Sequence, residues 1–383
     1  MAHVALVWTV LNWLVALAWV SRVLYWLLQV RSVPNLLRPE HAGKMPKGRL
    51  TVVVPARNEA HSIRRAIESL LQTTDVDLEI IAVDDRSTDS TGAILDNLAV
   101  EARAEGKRLD VVHVTILPGG WTGKAHAMAV AAGQSSGDWL LFTDADVLFR
   151  DDALRRALAF AEEQNADHLV LLPTPICKRP GERMMISFLY AMAIWGPRVW
   201  KVPDPRAKRD SIGVGAFNLV RKTAYQAIGG WDALRMEVLE DVRLGYVLKQ
   251  AGFAARIVTG RGLVRVRWAK GASGVVRNLT KNMFAAFRFR TGLMLAACGG
   301  VAVLCLLPFV ALLAGGVSLQ LPSLLTFASL ALLYGFNSRN ANAAFWYVLL
   351  FPVAAVLFLF SMLRSTILTL ARRGVLWRGT FIQ

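Results

Sequence analysis

A mostly parallel α/β domain held between apolar helices is the fold class that this 383-residue chain predicts. Three observations predict it. Between residues 49 and 149, strand-like apolar runs alternate four times with amphipathic helical patterns, as in a parallel sheet covered by helices. Polar clusters follow the strand-like runs, which is where open α/β sheets bind their ligands. Apolar segments gather at the two ends, raising hydrophobic content to 54% and mean hydropathy to +0.40.

Taken in order, residues 4–28 carry Arg22 as their single charge and are long enough to span a bilayer. A cleaved signal peptide would need a basic start and a small-residue cleavage site, so an uncleaved anchor is expected. Arg31, Arg38, Lys44, Lys47 and Arg49 follow it and place the next domain in the cytoplasm by the positive-inside rule. A strand from Arg49 to Pro55 runs into Ala56-Arg57-Asn58-Glu59, and Ile63, Ile67, Leu70 and Leu71 then mark one helix face. A strand from Leu78 to Val83 ends in Asp84-Asp85-Arg86-Ser87-Thr88-Asp89, ahead of a helical pattern from Thr91 to about Glu105. Asp89 reads as a helix cap, and capping is the plain alternative for Asp84 and Asp85. A third strand, Leu109 to Thr115, leads to a Gly-Gly-Trp-Thr-Gly-Lys loop ending at Lys124 and a helix through Ala131. This loop is no P-loop: Pro118 stands where the first glycine belongs, and Ala125 follows the lysine.

The run from Trp139 to Phe149 reads as a strand ending in Asp144 and Asp146. Strand side chains alternate, so both carboxylates would face one way. Such a pair suits one divalent cation with positions left open for phosphate oxygens, although a lone Asp-x-Asp is more often a solvated turn. Further on, Ile212 to Asn218 is a small-residue loop suited to close approach. Gly229-Gly230-Trp231-Asp232 closes a turn in which Trp231 either packs or stacks on a sugar. Glu240 and Asp241 open a helical pattern, where the positive end of the helix dipole favours carboxylates.

Apolar runs return at about 292–316, 321–336 and 344–363, and Arg364, Arg372, Arg373 and Arg378 follow. Three full crossings would put that basic tail outside, against the positive-inside rule. The 321–336 run is the shortest and holds Pro322. It is expected to be re-entrant or interfacial, or to pair with a neighbouring run. Residues 186–202 and 277–290 have the apolar, aromatic and basic mix of interfacial segments, with a core helix as the alternative for the first. The expected division is an anchor at 1–30, a cytoplasmic domain at 48–270, an interfacial segment at 271–291, membrane helices at 292–365 and a basic tail at 366–383.

A formal net charge of +16 raises the question of nucleic-acid binding, but the basic residues flank apolar runs and form no such motif. Attraction to anionic headgroups is the simpler reading. Cys177, Cys298 and Cys305 form neither a metal spacing nor a disulfide framework. No Gly-x-Gly-x-x-Gly follows a strand, which excludes a dinucleotide-fold dehydrogenase.

Pro55-Ala-Arg-Asn-Glu59, Asp84-Asp85-Arg-Ser, Gly123-Lys124-Ala125, Asp144-Ala-Asp146 and Glu240-Asp241 resemble, in order and spacing, the motifs of family 2 glycosyltransferases. The resemblance covers roughly residues 50–250 and is nearest to bacterial membrane-bound members associated with hopanoid and carotenoid glycosylation. Val375-Leu-Trp-Arg-Gly-Thr380 resembles a tail signature of such proteins. The resemblance implies a GT-A (Rossmann-like) fold, a UDP- or GDP-linked sugar donor, a Mg2+ or Mn2+ cofactor and a bacterial inner-membrane location. It assigns Pro55, Ala56, Arg57, Glu59, Asp84, Lys124 and Asp144 to the nucleotide sugar. Asp146, with Asp144, would hold the metal, and Asp241 would be the general base of an inverting transfer to a lipid or isoprenoid-type acceptor. Glu240, Trp268, Arg277 and Lys281 are candidates for the acceptor side.

One departure matters. Processive relatives carry a Gln- or Arg-x-x-Arg-Trp motif after the base, and Arg265-Val-Arg267-Trp268 is no clean copy. A polysaccharide synthase is therefore the less favoured alternative. A catalytically silent membrane partner is another, against which the presence of Asp144, Asp146 and Asp241 speaks.

Overall fold

The computed structural model describes residues 2–372, 374–377 and 380–382; Arg373, Arg378 and Gly379 of the expected tail lie outside the described residues. Helix α1 is Ala2–Val30. The α/β domain runs β1 (Leu50–Ala56), α2 (Ile63–Leu71), β2 (Leu78–Asp85), α3 (Thr91–Ala104), β3 (Arg108–Val114), α4 (Gly123–Gln134) and β4 (Trp139–Phe142). It continues through β5 (Val147–Phe149), α5 (Ala153–Glu163), β6 (His168–Leu171), β7 (Thr174–Pro175), α6 (Pro180–Ala193), β8 (Asn218–Arg221), α7 (Lys222–Ala227), α8 (Glu240–Gln250), β9 (Ala255–Val258) and β10 (Val264–Val266). Then come α9 (Gly271–Ala286), α10 (Thr291–Cys305), α11 (Leu307–Ala314), α12 (Val317–Asn337) and α13 (Phe351–Arg372).

The main sheet has the order β3-β2-β1-β4-β8-β6-β9. Its first four strands are parallel, with Val53 beside both Ile81 and Phe142. Every residue of β1 is buried, the continuous apolar pattern of a strand covered on both faces. Alternation sends Val52 and Val54 into one core with Ile67, Leu95 and Leu141. Val53 goes into the other with Ile81, Met128 and Leu248. Trp231 belongs to that second core, 1% exposed and edge-on to Phe142 at 5.0 Å, so it packs and does not stack on a sugar.

The expected strand from Trp139 to Phe149 is two strands. Backbone pairing stops at Phe142, and Val147–Phe149 joins β10 and β7 in a small second sheet. Asp144 and Asp146 thus sit on the crossing between sheets, not at a strand end, and strand alternation has no part in orienting them. Thr143 pins the start of this crossing, its amide donating to Val53 O (3.2 Å) and its hydroxyl to Ala216 O (2.9 Å).

Leu6–Val30, Thr291–Leu313, Val317–Asn337 and Phe345–Arg372 are long and apolar enough to cross a membrane. The run expected to be re-entrant lies within α12, a helix of 21 residues aligned parallel to α1. Asn12 of α1 donates to Ser323 Oγ and Leu319 O, both at 2.8 Å, in the turn loosened by Pro322, and Trp26 meets Phe336 at 5.4 Å. The indole of Trp19 donates to Leu304 O at the end of α10. Helix α6 of the α/β domain enters this assembly, with Phe188 against Phe351 and Phe358 and Ile194 O receiving the Arg22 guanidinium.

Candidate active site

A cavity of about 340 Å3 opens beyond the carboxyl ends of β1 and β4, the general place for a ligand in such a sheet. It brings together Pro55, Glu59, Lys124, Asp144, Asp146, Glu240, Asp241, Trp268 and Lys281, residues from six separated stretches of sequence.

Lys124 sits in the first turn of α4, where the helix dipole disfavours a cation. Two carboxylates compensate: its Nζ is 2.7 Å from Asp144 Oδ1 and 2.6 Å from Glu240 Oε1. Lys124 and Glu240 are both buried, so loss of either member would leave an uncompensated buried charge. Asp241 follows Glu240 in the first turn of α8, and its Oδ1 accepts from the Val242 amide at 2.8 Å. Burial first, and the Glu240 carboxylate second, push Asp241 up to about 6.

Glycines set this geometry. A Cβ at Gly213 would overlap the Asp241 carbonyl, and one at Gly245 would overlap the Ile212 carbonyl, so the 212–215 loop lies directly on the first turns of α8. A Cβ at Gly215 would stand 2.7 Å from Asp144 Oδ2 and 3.3 Å from Asp241 Oδ2. The absent side chain is what lets these two carboxylates face one space.

That space suits a divalent ion of limited kind. The donors are all carboxylate oxygens, which favours Mg2+ or Mn2+ over zinc. Among the described residues, no three His, Cys, Asp or Glu side chains gather into a cage. The fit is therefore to an ion held by one or two carboxylates and completed by phosphate oxygens and water, the usual state of Mg2+ beside a nucleotide. Asp144 and Asp146 are the residues that would hold it.

The loops after β1 and β2 clasp one another. Asn58 and Arg86 both take left-handed backbone, φ 55° and 54°. Asn58 N donates to Ser87 Oγ (3.0 Å), Thr88 N to Asn58 Oδ1 (2.7 Å) and Glu59 N to Thr91 Oγ1 (2.8 Å). Such strained residues persist where surrounding bonds over-determine them, which happens at binding loops. Asp84 stands outside the cavity lining, accepting from Ser87 N at 3.3 Å and meeting His113 Nδ1 at 3.2 Å. His113 also meets Asp96 at 2.9 Å, and these two carboxylates, Asp96 first, raise its pKa. Asp85 is buried and bonded to Arg86, and Asp89, one residue before the N-cap Ser90, accepts from the amides of Ala60 and Thr91.

Opposite lies α9. Asn278, Lys281 and Asn282 face the cavity while Val275, Leu279 and Phe284 are buried against other elements. Asn278 and Asn282 are absent from the expected site residues, although their i, i+4 spacing with Lys281 between them marks one helix face. Ala56 is buried in β1, and Arg57 and Arg277 stand outside the cavity lining. Glu182, 1% exposed, fixes this side by accepting from Arg267 (2.6 Å), Gly271 N (2.8 Å) and Lys178 N (2.7 Å). These partners overcome its burial and hold its carboxyl at about 2. One buried carboxylate thus joins the start of α6 to the start of α9.

Residues 51–229 match the family described as Glycosyl transferase family 2. The chain is 26% identical over 239 residues to a 4,4'-diaponeurosporenoate glycosyltransferase of Staphylococcus haemolyticus, and 28% identical over 238 residues to that of Staphylococcus aureus. Each alignment covers 61% of this chain and 60% of the relative, so the chain spans under two thirds of those relatives' length. Among solved structures it is similar to the mannosyltransferase PcManGT from Pyrobaculum calidifontis, which was solved in complex with GDP-Man and Mn2+. The TM-score there is 0.61 at 19% identity, over 94% of this chain and 99% of that one, a likeness of fold. With the motif order, the sheet and the cavity pointing the same way, residues 51–229 belong to glycosyltransferase family 2, in a GT-A-like α/β domain flanked by apolar helices.

Proposed function

We propose that the chain is an inverting glycosyltransferase that moves a hexose-type sugar from a UDP- or GDP-linked donor to a lipid or isoprenoid-type acceptor at the cytoplasmic face of a bacterial membrane. The observation that carries this reading is a single cavity with the Lys124–Asp144–Glu240 network, Asp146 and Asp241 on one wall and α9 on the other. The names of the staphylococcal relatives support a carotenoid-type acceptor, and the GDP-Man in PcManGT supports a nucleotide-sugar donor.

Asp241 is the base. Its pKa lies nearer neutrality than an ordinary carboxylate's, which strengthens it for taking a hydroxyl proton. The acceptor oxygen forms its bond to the anomeric carbon as the bond to the diphosphate oxygen breaks. The proton passes to Asp241 and the electron pair leaves with the diphosphate. Attack from the face opposite the leaving group inverts the anomeric centre. A divalent ion, when bound, would offset the charge of the leaving diphosphate. Lys124 holds Asp144 and Glu240 in place, Glu59 and Pro55 border the donor, and Trp268, Asn278 and Lys281 border the acceptor.

Membrane topology follows the same reading, with domain boundaries near residues 30, 48, 270, 291 and 365. Helices α1 and α12 run parallel and both end beside the α/β domain, so α10 must start on that side. Met362 of α13 packs with Met294 near the start of α10, and Ser365 accepts from Phe284 N of α9. The segment leading into α13 touches the domain as well, through Cys177 Sγ and Ala341 O. Both ends of the last apolar run thus meet elements on the domain side, and it is not counted as a crossing. Three crossings remain, and Arg364 and Arg372 stay with the domain, in keeping with the positive-inside rule.

The deciding experiment is nucleotide release by detergent-solubilised protein, with Mg2+ or Mn2+, across UDP- and GDP-sugars and a lipid extract. Turnover of one donor that requires both metal and lipid is the expected result. Absence of nucleotide binding under every condition would overturn the reading.

A further inference from the structure

We propose that Arg183, Arg261 and Arg339 form a binding site for the phosphate of an anionic phospholipid headgroup, separate from the catalytic cavity. The three side chains come from distant segments: α6, the turn between β9 and β10, and the residues just after α12. They line one opening of about 680 Å3 that shares no lining residue with the cavity of Asp241.

Among the described residues, no carboxylate neutralises these three, whereas other arginines of the protein are paired. Arg198 is bonded to Asp210, Arg150 to Asp152 and Arg267 to Glu182. Among the described residues, none of Arg183, Arg261 and Arg339 has a carboxylate within 4.0 Å. Three guanidinium groups on one opening repel each other until an anion joins them, and phosphate matches their planar donor geometry best.

The surroundings indicate where that phosphate comes from. Phe345 and Trp346, 61% and 48% exposed, line the same opening. Exposed aromatic rings beside cations mark the level of lipid headgroups, and a site for soluble phosphate has no use for them. Phe336, less than one helical turn before Arg339, meets Trp26 near the end of α1, so the opening lies where the membrane helices meet the α/β domain. The proposal rests on the membrane reading above but on no particular donor or acceptor.

The test titrates full-length, detergent-solubilised protein with dioctanoyl phosphatidylglycerol, dioctanoyl phosphatidylcholine or inorganic phosphate. Binding is read by thermophoresis and by the unfolding midpoint. Saturable binding of phosphatidylglycerol is expected, with no matching response to phosphatidylcholine. Arg183→Gln, Arg261→Gln and Arg339→Gln should each weaken it about fivefold, the scale of one basic side chain at an anionic surface. The triple variant should lose it, whereas Arg103→Gln on the solvent side of α3 should not change it. Lipid-free midpoints establish that variants are folded, and the single variants decide if the triple one is not. Equal affinity for phosphatidylcholine, equal affinity for inorganic phosphate, or unchanged binding in the arginine variants would each overturn the proposal. Because no sugar donor is present, a negative result leaves the glycosyl-transfer reading untouched.

Discussion

The wall proposed to hold the donor and the base is drawn from the stretch Pro55 to Asp146, in which each ligand-facing loop follows the strand that aims it, together with Glu240 and Asp241 in the first turn of α8. The acceptor wall is assembled from Glu182, the Arg267–Trp268 segment and α9, which meet through a buried carboxylate and not through a shared sheet. The first wall is rigid because β1, β2 and β4 are paired and buried on both sides. The second owes its position to a few polar bonds and to apolar packing on α13. Chemistry that tolerates no displacement sits on the sheet, and recognition that can vary sits on the helix. If this contrast is right, substitutions on the first wall should abolish turnover while those on the second shift acceptor use.

The largest effect is expected for Asp241→Asn, which keeps shape but removes the base. Turnover should fall between about a hundredfold and ten-thousandfold, the usual contribution of general base catalysis, with nucleotide affinity unchanged in a binding titration. Lys124→Met comes next. It strands Glu240 and Asp144, and breaking a buried pair destabilises by about 3–5 kcal/mol, measurable as a lower denaturation midpoint.

Glu182→Gln tests the other wall and carries a pH signature. The folded carboxyl titrates at about 2, below its ordinary 4.5, so its stabilisation is complete above about 4.5 and is lost as pH falls toward 2. That linkage amounts to about 3 kcal/mol. The wild type should lose stability over this window, and the variant, already weaker at neutral pH, should lose less. Its KM for acceptor should rise more than its KM for donor. Asn278→Ala is expected to be mildest, a few-fold rise in acceptor KM with kcat kept. An equal rise in donor KM would remove the distinction between the walls.

The same contrast explains what the sequence revealed. Asp144, Asp146, Lys124, Glu240 and Asp241 were legible because each lies in a motif whose spacing is local. The physical reason first given for the aspartates was wrong, since the pairing ends at Phe142 and the carboxylates ride a crossing between sheets. Residue identity outlived the mistaken geometry. Asn278 and Asn282 escaped notice because asparagine on a helix face has many plain explanations, and only the fold brings α9 over the cavity. The topology conflict had a similar origin. Its length and Pro322 pointed to 321–336 as the irregular run, while the contacts of Asn12 and Ser323 align that run with α1 and those of Ser365 return 344–363 toward α9.

Helix α9 shows the side-chain amides of Asn278 and Asn282, with Lys281, to the cavity and its apolar side to the long apolar helices. Under the proposed reading, a lipid acceptor's hydroxyl would reach Asp241 while its hydrocarbon stays dissolved in the bilayer. Encounter then becomes a search in two dimensions. The quantity that sets the rate is the number of acceptor molecules per unit of membrane area, so diluting the acceptor with inert lipid should slow turnover even when its concentration in the tube is unchanged.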